Sequence, residues 1–245
     1  MVRLSRLASV AALLTACATA NAEPSARRSA HGHGRAALPA PHVAPNPAAE
    51  GLDLPPEARA CYDRLWRGGV TFELVDRRRA AGVKMPIRLA SAIGGVWVAP
   101  RNRSRVHSIL DCRLALRILH WSGTLRRAGV AGMEHYSVYR PGARIRGSGK
   151  VSGHAHALAI DLARLHMRNG AILDVLTDWE ERQRGGEPCP MRHDEAWAGR
   201  VLRGVVCEAV TAGLFQVVLT PHHDAAHQNH VHLEFRPSKD WTYIQ

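Results

Sequence analysis

The chain is poor in acids and in aromatic residues. Asp and Glu together number 21 against 33 Lys and Arg, and Phe, Trp and Tyr make up 5% of the 245 residues. The formal charge of +12 means the surface attracts polyanions such as cell-wall polymers, lipopolysaccharide or nucleic acid. Nucleic acid is the least favoured of these, because the basic residues are scattered through every segment, without an aromatic-flanked stripe, a zinc-finger spacing or an RNP-type motif. No internal repeat and no glycine-rich loop opening a helix is present, which argues against a repeat architecture and against P-loop or dinucleotide phosphate binding. A monomer is the expectation, and no coiled-coil heptad or interface stripe is present to settle the oligomeric state. What the chain does have is an apolar fraction of 46%, enough for a packed core of one or two domains.

Residues 1–22, MVRLSRLASVAALLTACATANA, join a basic start (Arg3, Arg6) to an apolar run and small residues, the layout of an export signal. That run is too short to span a bilayer permanently. Ala20-Asn21-Ala22 suits ordinary cleavage before Glu23, whereas Leu14-Thr15-Ala16-Cys17 resembles a bacterial lipobox that would leave Cys17 lipidated; the second reading is preferred. The expectation is an exported protein, periplasmic or anchored to the outer membrane as a lipoprotein. Residues 23–56 are rich in Ala, Pro, Arg and His without an apolar period, as a flexible tether would be, and His31 and His33 read as solvated linker residues. Export also changes how the other cysteines are read. Cys61, Cys112, Cys189 and Cys207 form an even set suited to two disulfides. Three pairings are open; Cys61–Cys112 with Cys189–Cys207 is favoured because each bridge joins neighbouring segments.

From residue 57 to 245 the pattern becomes that of a folded domain. PPEARACYDRLWRGG starts with Pro, ends on a Gly pair and spaces its apolar residues as an amphipathic helix does. SILDCRLALRILHWSGTLRRAG predicts a long half-buried helix, and DEAWAGRVLRGVVCEAVTAGL another. TFELV, the flanks of Gly94-Gly95, residues 134–139, residues 157–163, FQVVLTP and HVHLEF read as strands. Helices flanking strands joined by short connections imply a small α+β domain with a mainly antiparallel sheet.

Two segments hold the residues that could carry chemistry: SGHAHALAID (152–161) and HQNHVH (227–232). Strand alternation puts His230, His232 and Glu234 on one face. Asp161 stands in the apolar run ALAIDLARL, where a carboxylate is costly to bury unless a cation or hydrogen-bond donors stabilise it. A divalent metal meets that need, and zinc accepts His nitrogen and Asp oxygen, with three protein ligands and one open position in catalytic sites.

SGHAHALAIDL resembles the Ser-x-His-(x)6-Asp motif of zinc-dependent D-Ala-D-Ala carboxypeptidases, penicillin-insensitive murein endopeptidases and the zinc-bearing Hedgehog domain, and HQNHVHLEF is similar to their second motif. Within that superfamily the best agreement is with the bacterial extensin-like C-terminal domain, through CYDRLWRGGVTFEL, GVKMPIRLAS, CRLALRILHWS, the segment ending at Arg140 and AHQNHVHLEF. The resemblance covers most of residues 57–236. It implies a Hedgehog/D-Ala-D-Ala peptidase-type fold, Zn2+ held by His154, Asp161 and His232, and action on a peptide or amide bond of peptidoglycan. It also implies that Arg140 holds a substrate carboxylate or polarises the scissile carbonyl; Ser152 either binds substrate or shapes the loop.

The departures bear on the same roles. Many relatives have Gly where Ala157 stands. Asn229 occupies a position where most relatives place Glu or Asp as the proton acceptor, and an amide cannot take that proton near neutral pH. The murein endopeptidases show His-x-x-His-x-His instead, a spacing reproduced by His227, His230 and His232. His230 is thus the first candidate base and His227 the second, since a neutral imidazole titrates in the useful range. His156 reads as a loop or supporting group, Glu234 as an orienting group, and His222 and His223 as exposed loop residues. The alternative to an enzyme is a zinc-containing wall-binding module that does not cut.

Overall fold

A computed structural model describes residues 51–179, 184–190 and 195–245. Cys17, His31, His33 and the proposed signal and most of the tether lie outside the described residues. The elements in chain order are α1 (Pro56–Arg67), β1 (Phe72–Leu74), β2 (Pro86–Leu89), β3 (Trp97–Pro100), β4 (Leu110–Asp111), α2 (Cys112–Arg127) and β5 (Val130–His135). They continue with β6 (Ala159–Met167), β7 (Ile172–Asp174), α3 (Val175–Asp178), α4 (Trp197–Thr211), β8 (Val217–Leu219), β9 (Val231–Glu234) and β10 (Tyr243–Ile244). Helices and two sheets make this an α+β domain. The first sheet is antiparallel, β1-β2-β4; the second has seven strands in the order β10-β8-β9-β6-β5-β3, with β7 also paired to β6. Pairing is antiparallel throughout except for β3 with β5 and β10 with β8.

The helices form where the apolar period demands. In α2, Leu114, Ile118, Trp121 and Leu125 recur at the spacing of one helical face and are all buried. Burying each such aliphatic side chain contributes roughly 1.5–3 kcal/mol. Asp111 caps the helix by accepting from Arg113 N, and its other oxygen accepts from Met85 N, joining α2 to the first sheet. Trp121 donates its indole N–H to Val205 O at 2.9 Å, fixing α2 to α4. Both disulfides form as the favoured pairing has them: Cys61–Cys112 ties α1 to α2, and Cys189–Cys207 ties the 184–190 segment to α4.

One strand lies elsewhere than the alternation suggests. The predicted strand at 134–139 is instead β5 at 130–135, and the register breaks between Glu134 and His135. Beyond that break Tyr136 N bonds Asp161 O and Val138 N bonds His107 O, so the chain leaves the ladder to reach two different partners. The predicted strand at 157–163 extends to Met167, because it is the central strand β6, paired along its length with β5, β9 and β7.

Candidate metal centre

The site grows from the pleat of β6 and β9. Ile160 and Leu162 on β6, with Val231 and Leu233 on β9, join the apolar core. Alternation therefore sends Asp161, His232 and Glu234 to the opposite face. Asp161 and His232 are direct cross-strand partners in the β6/β9 ladder, and Ala159 pairs with Glu234. Register alone thus places a carboxylate beside an imidazole.

His154 arrives by a different device. Ser152 accepts from His154 N and caps a short 3-10 turn, Gly153–His156, which ends on Ala157 in the left-handed conformation (φ 52°, ψ 34°). That turn delivers a fully buried His154 onto the strand pair. Gly153 sits so close to Glu234 that a Cβ there would lie 2.6 Å from the Glu234 carboxyl carbon, so a side chain would displace the group beside His232. Ala157 adopts a backbone region that residues with a Cβ, Asn and Asp apart, seldom enter, so a glycine there would relieve the backbone.

Three atoms converge. His154 Nε2 lies 2.9 Å from Asp161 Oδ1, His232 Nδ1 lies 3.0 Å from the same oxygen, and the two nitrogens are 3.1 Å apart. The outer faces of both rings are already committed: His154 Nδ1 donates to Val138 O at 2.8 Å, and His232 Nε2 donates to Glu234 Oε2 at 3.2 Å. In the neutral rings these bonds leave both lone pairs turned towards Asp161. Three acceptors facing one another require a cation among them, either a shared proton or a metal. Tetrahedral ligands about 2.0–2.1 Å from zinc lie about 3.3 Å apart, within a few tenths of an ångström of what stands here. His154, Asp161 and His232 therefore fit such an ion.

The electrostatics agree. Asp161 is 4% exposed; burial would raise its carboxyl, yet His154 and His232 hold it well below the ordinary value. Burial would lower His232, but hydrogen bonds and charge from Asp161 and Glu234 push it up to about 9. Asp161 Oδ2 accepts from the buried Ser137 hydroxyl at 2.9 Å.

Around this floor opens a cleft of ≈ 310 Å³ lined by Arg140, Ser152, Asp161, His227, His230 and His232, with His154 fully buried. His230 Nε2 stands 3.6 Å from Asp161 Oδ1, while its Nδ1 donates to the Asn229 amide oxygen at 2.8 Å. Asn229 thereby turns the unprotonated nitrogen of His230 towards the site. Burial, opposed by Asp161, lowers His230 to about 4, so the ring is neutral near pH 7. The His227 ring lies 5.1 Å from that of His230 and 6.2 Å from that of His232. Arg140 and Ser152 line the same cleft, joined by Arg144, Arg146 and Arg236. Arg236 bonds Glu234 and Arg144 bonds Gly149 O, whereas neither Arg140 nor Arg146 has a carboxylate within ion-pair distance among the described residues.

Several roles were not legible in the residues. Ser137 and the extra arginines carry no motif signal, and the motif shows Asn229 only as a missing carboxylate, not as the partner of His230. His156 is exposed and bonds Gly82 O at 2.8 Å, so it braces the loop, and Glu234 orients His232. His222, expected to be exposed, is buried near Arg203 and the Trp179 ring, because the 184–190 segment covers it and Gly185 N bonds its carbonyl.

An α+β domain whose central strands and an adjoining 3-10 turn carry a buried His-Asp-His cluster at the base of an arginine-walled cleft is a candidate metal-binding domain. The chain belongs to the family described as extensin-like protein C-terminus, whose sequence model matches residues 59–245. No curated protein and no solved structure matches the chain.

Proposed function

We propose that the domain is an exported zinc metallopeptidase of the Hedgehog/D-Ala-D-Ala peptidase superfamily that hydrolyses a peptide or amide bond in peptidoglycan. The observation that carries this reading is the convergence of His154 Nε2, Asp161 Oδ1 and His232 Nδ1 within 3.1 Å at the base of an open cleft. Zinc held there supplies Lewis acidity towards a carbonyl oxygen and makes water acidic enough to act near neutral pH. The remaining work falls to the chain. His230, neutral and turned inward by Asn229, accepts a proton from the attacking water through Nε2 and returns it to the leaving amine. Arg140 and Arg146 hold a carboxylate of the wall peptide, a planar anion suited to guanidinium. Ser152 accepts from His154 N and lines the cleft, so it holds the turn while its O–H remains a donor for a substrate oxygen. The charge of +12 keeps the protein on an anionic envelope, with Cys17 as lipid anchor in the periplasm or at the outer membrane.

The test is incubation of zinc-loaded protein with purified peptidoglycan and mass analysis of the released fragments. New amine and carboxyl ends above a His154→Ala control are expected; their absence would refute the enzyme. A second reading rests on Asn229, an amide where the resemblance places a carboxylate: the same cleft would then retain wall peptide without cutting it. Sedimentation with sacculi, lost in Arg140→Ala and unaccompanied by cleavage, would select that reading.

A further inference from the structure

We infer a second divalent-cation site on the outer side of the cleft, formed by His223, Asp224 and His227. One ligand atom from each of these residues can be chosen so that all lie within 4.8 Å of one another. His227 Nδ1 is 2.6 Å from Asp224 Oδ1, and His223 Nε2 is 3.7 Å from Asp224 Oδ2. The donor set, two imidazoles and one carboxylate, repeats that of the inner cluster and differs from it in exposure: the Asp224 side chain is 48% exposed and those of His223 and His227 are 27% and 17%.

Each member is positioned from behind. His223 Nδ1 donates to the Gln245 amide oxygen at 2.9 Å, which leaves the Nε2 lone pair facing Asp224. Asp224 caps the 3-10 turn Ala225–His227, its Oδ1 accepting from Ala226 N at 2.9 Å and from His227 N at 3.1 Å. The carboxylate is therefore fixed by the backbone while Oδ2 takes no backbone donor. Imidazole nitrogens select zinc, copper or nickel over magnesium or calcium. Partial exposure makes the site weaker and more exchangeable than the buried cluster.

The position matters for the cleft. The His227 ring lies 5.2 Å from that of His223 and 5.1 Å from that of His230, so it stands between the outer cluster and the inner one. A cation on Nδ1 displaces the proton shared with Asp224 and leaves the ring proton on Nε2. His227 then donates and cannot accept, which leaves proton acceptance to His230. The outer cation also ties the loop that carries His230 to the β10 end of the sheet through His223 and Gln245.

The experiment titrates Zn2+ into the chelator-stripped full chain, oxidised at both disulfides, by calorimetry. Two classes of site are expected, one tight and one weak. His223→Gln and Asp224→Asn, the latter keeping an oxygen for the turn, should each weaken the weak class at least about tenfold, or 1.4 kcal/mol, and spare the tight one. His154→Ala should do the reverse. A weak class that neither His223→Gln nor Asp224→Asn alters, in variants whose thermal melts match the parent, overturns the outer site. A His223-dependent step with no His154-dependent one supports the outer site and refutes the inner centre, so the two fail separately.

Discussion

Replacing Ser137 by alanine removes one hydrogen bond from the candidate centre and leaves its three converging atoms in place. The Ser137 hydroxyl donates to Asp161 Oδ2 at 2.9 Å, both residues are buried, and the two imidazoles face only Oδ1. A hydrogen bond to a buried charge is worth about 1.5–3 kcal/mol. Spread over the zinc equilibrium, that is about 10- to 100-fold in affinity, the range seen when a ligand loses its supporting group. The substitution takes away a single oxygen and opens almost no cavity, so packing contributes little to the expected change. Competition against a chromophoric chelator should show a zinc Kd for Ser137→Ala raised by about 10- to 100-fold. Urea unfolding of the stripped protein should show a loss of about 1–3 kcal/mol from the same unpaired oxygen. An affinity within about threefold of the parent would refute the claim that Asp161 is a ligand held in place from behind.

Asn229→Ala frees the His230 ring to choose either tautomer; cleavage of wall peptide should fall by about 10- to 100-fold while zinc affinity holds, and equal losses in both would show a general collapse of the loop. Loop closure across 51 and 18 residues predicts that losing Cys61–Cys112 costs about 4 kcal/mol and losing Cys189–Cys207 about 3 kcal/mol, so urea midpoints of the two double-alanine variants should fall in that order. His135 is buried, burial lowers it to about 4, and its Nδ1 has no hydrogen-bond partner among the described residues. The unfolded chain therefore binds the proton first, and stability is lost as pH falls from about 6.5 to about 4, a window His135 shares with His230; His135→Leu should reduce the slope of that limb of a stability-versus-pH curve, and an unchanged slope would rule His135 out as a contributor.

Features set by short-range pattern were legible in the sequence. The helical period located α1, α2 and α4, and two-residue alternation placed His232 and Glu234 on one face of β9. An aspartate in an apolar run signalled a need for a partner, and Asp161 meets His232 across the ladder and Ser137 from the next segment. Features set by long-range register were not. The break after Glu134 makes Ser137 reach Asp161, and nothing local to 134–139 encodes it. The burial of His222 depends on Arg203 and Trp179, 19 and 43 positions earlier in the chain. The parallel pairing of β10 with β8 depends on a return of the chain that no turn motif announces. By the resemblance Asn229 reads as a missing carboxylate; in the folded chain its oxygen sets the orientation of His230.

The segment from Arg140 to Val151 is a small hairpin of its own, closed by the Arg144–Val151 bridge and by Ile145 N bonding Lys150 O, with Gly147 and Gly149 in left-handed conformations at its tip. It supplies Arg140, Arg144 and Arg146 to the cleft and none of the three converging atoms, which belong to the 3-10 turn and the central strands. On the proposed reading, recognition and reactivity therefore lie on separate pieces of chain. A hairpin grafted from a differently charged source would change what the cleft selects and leave intact the floor on which any reaction would take place.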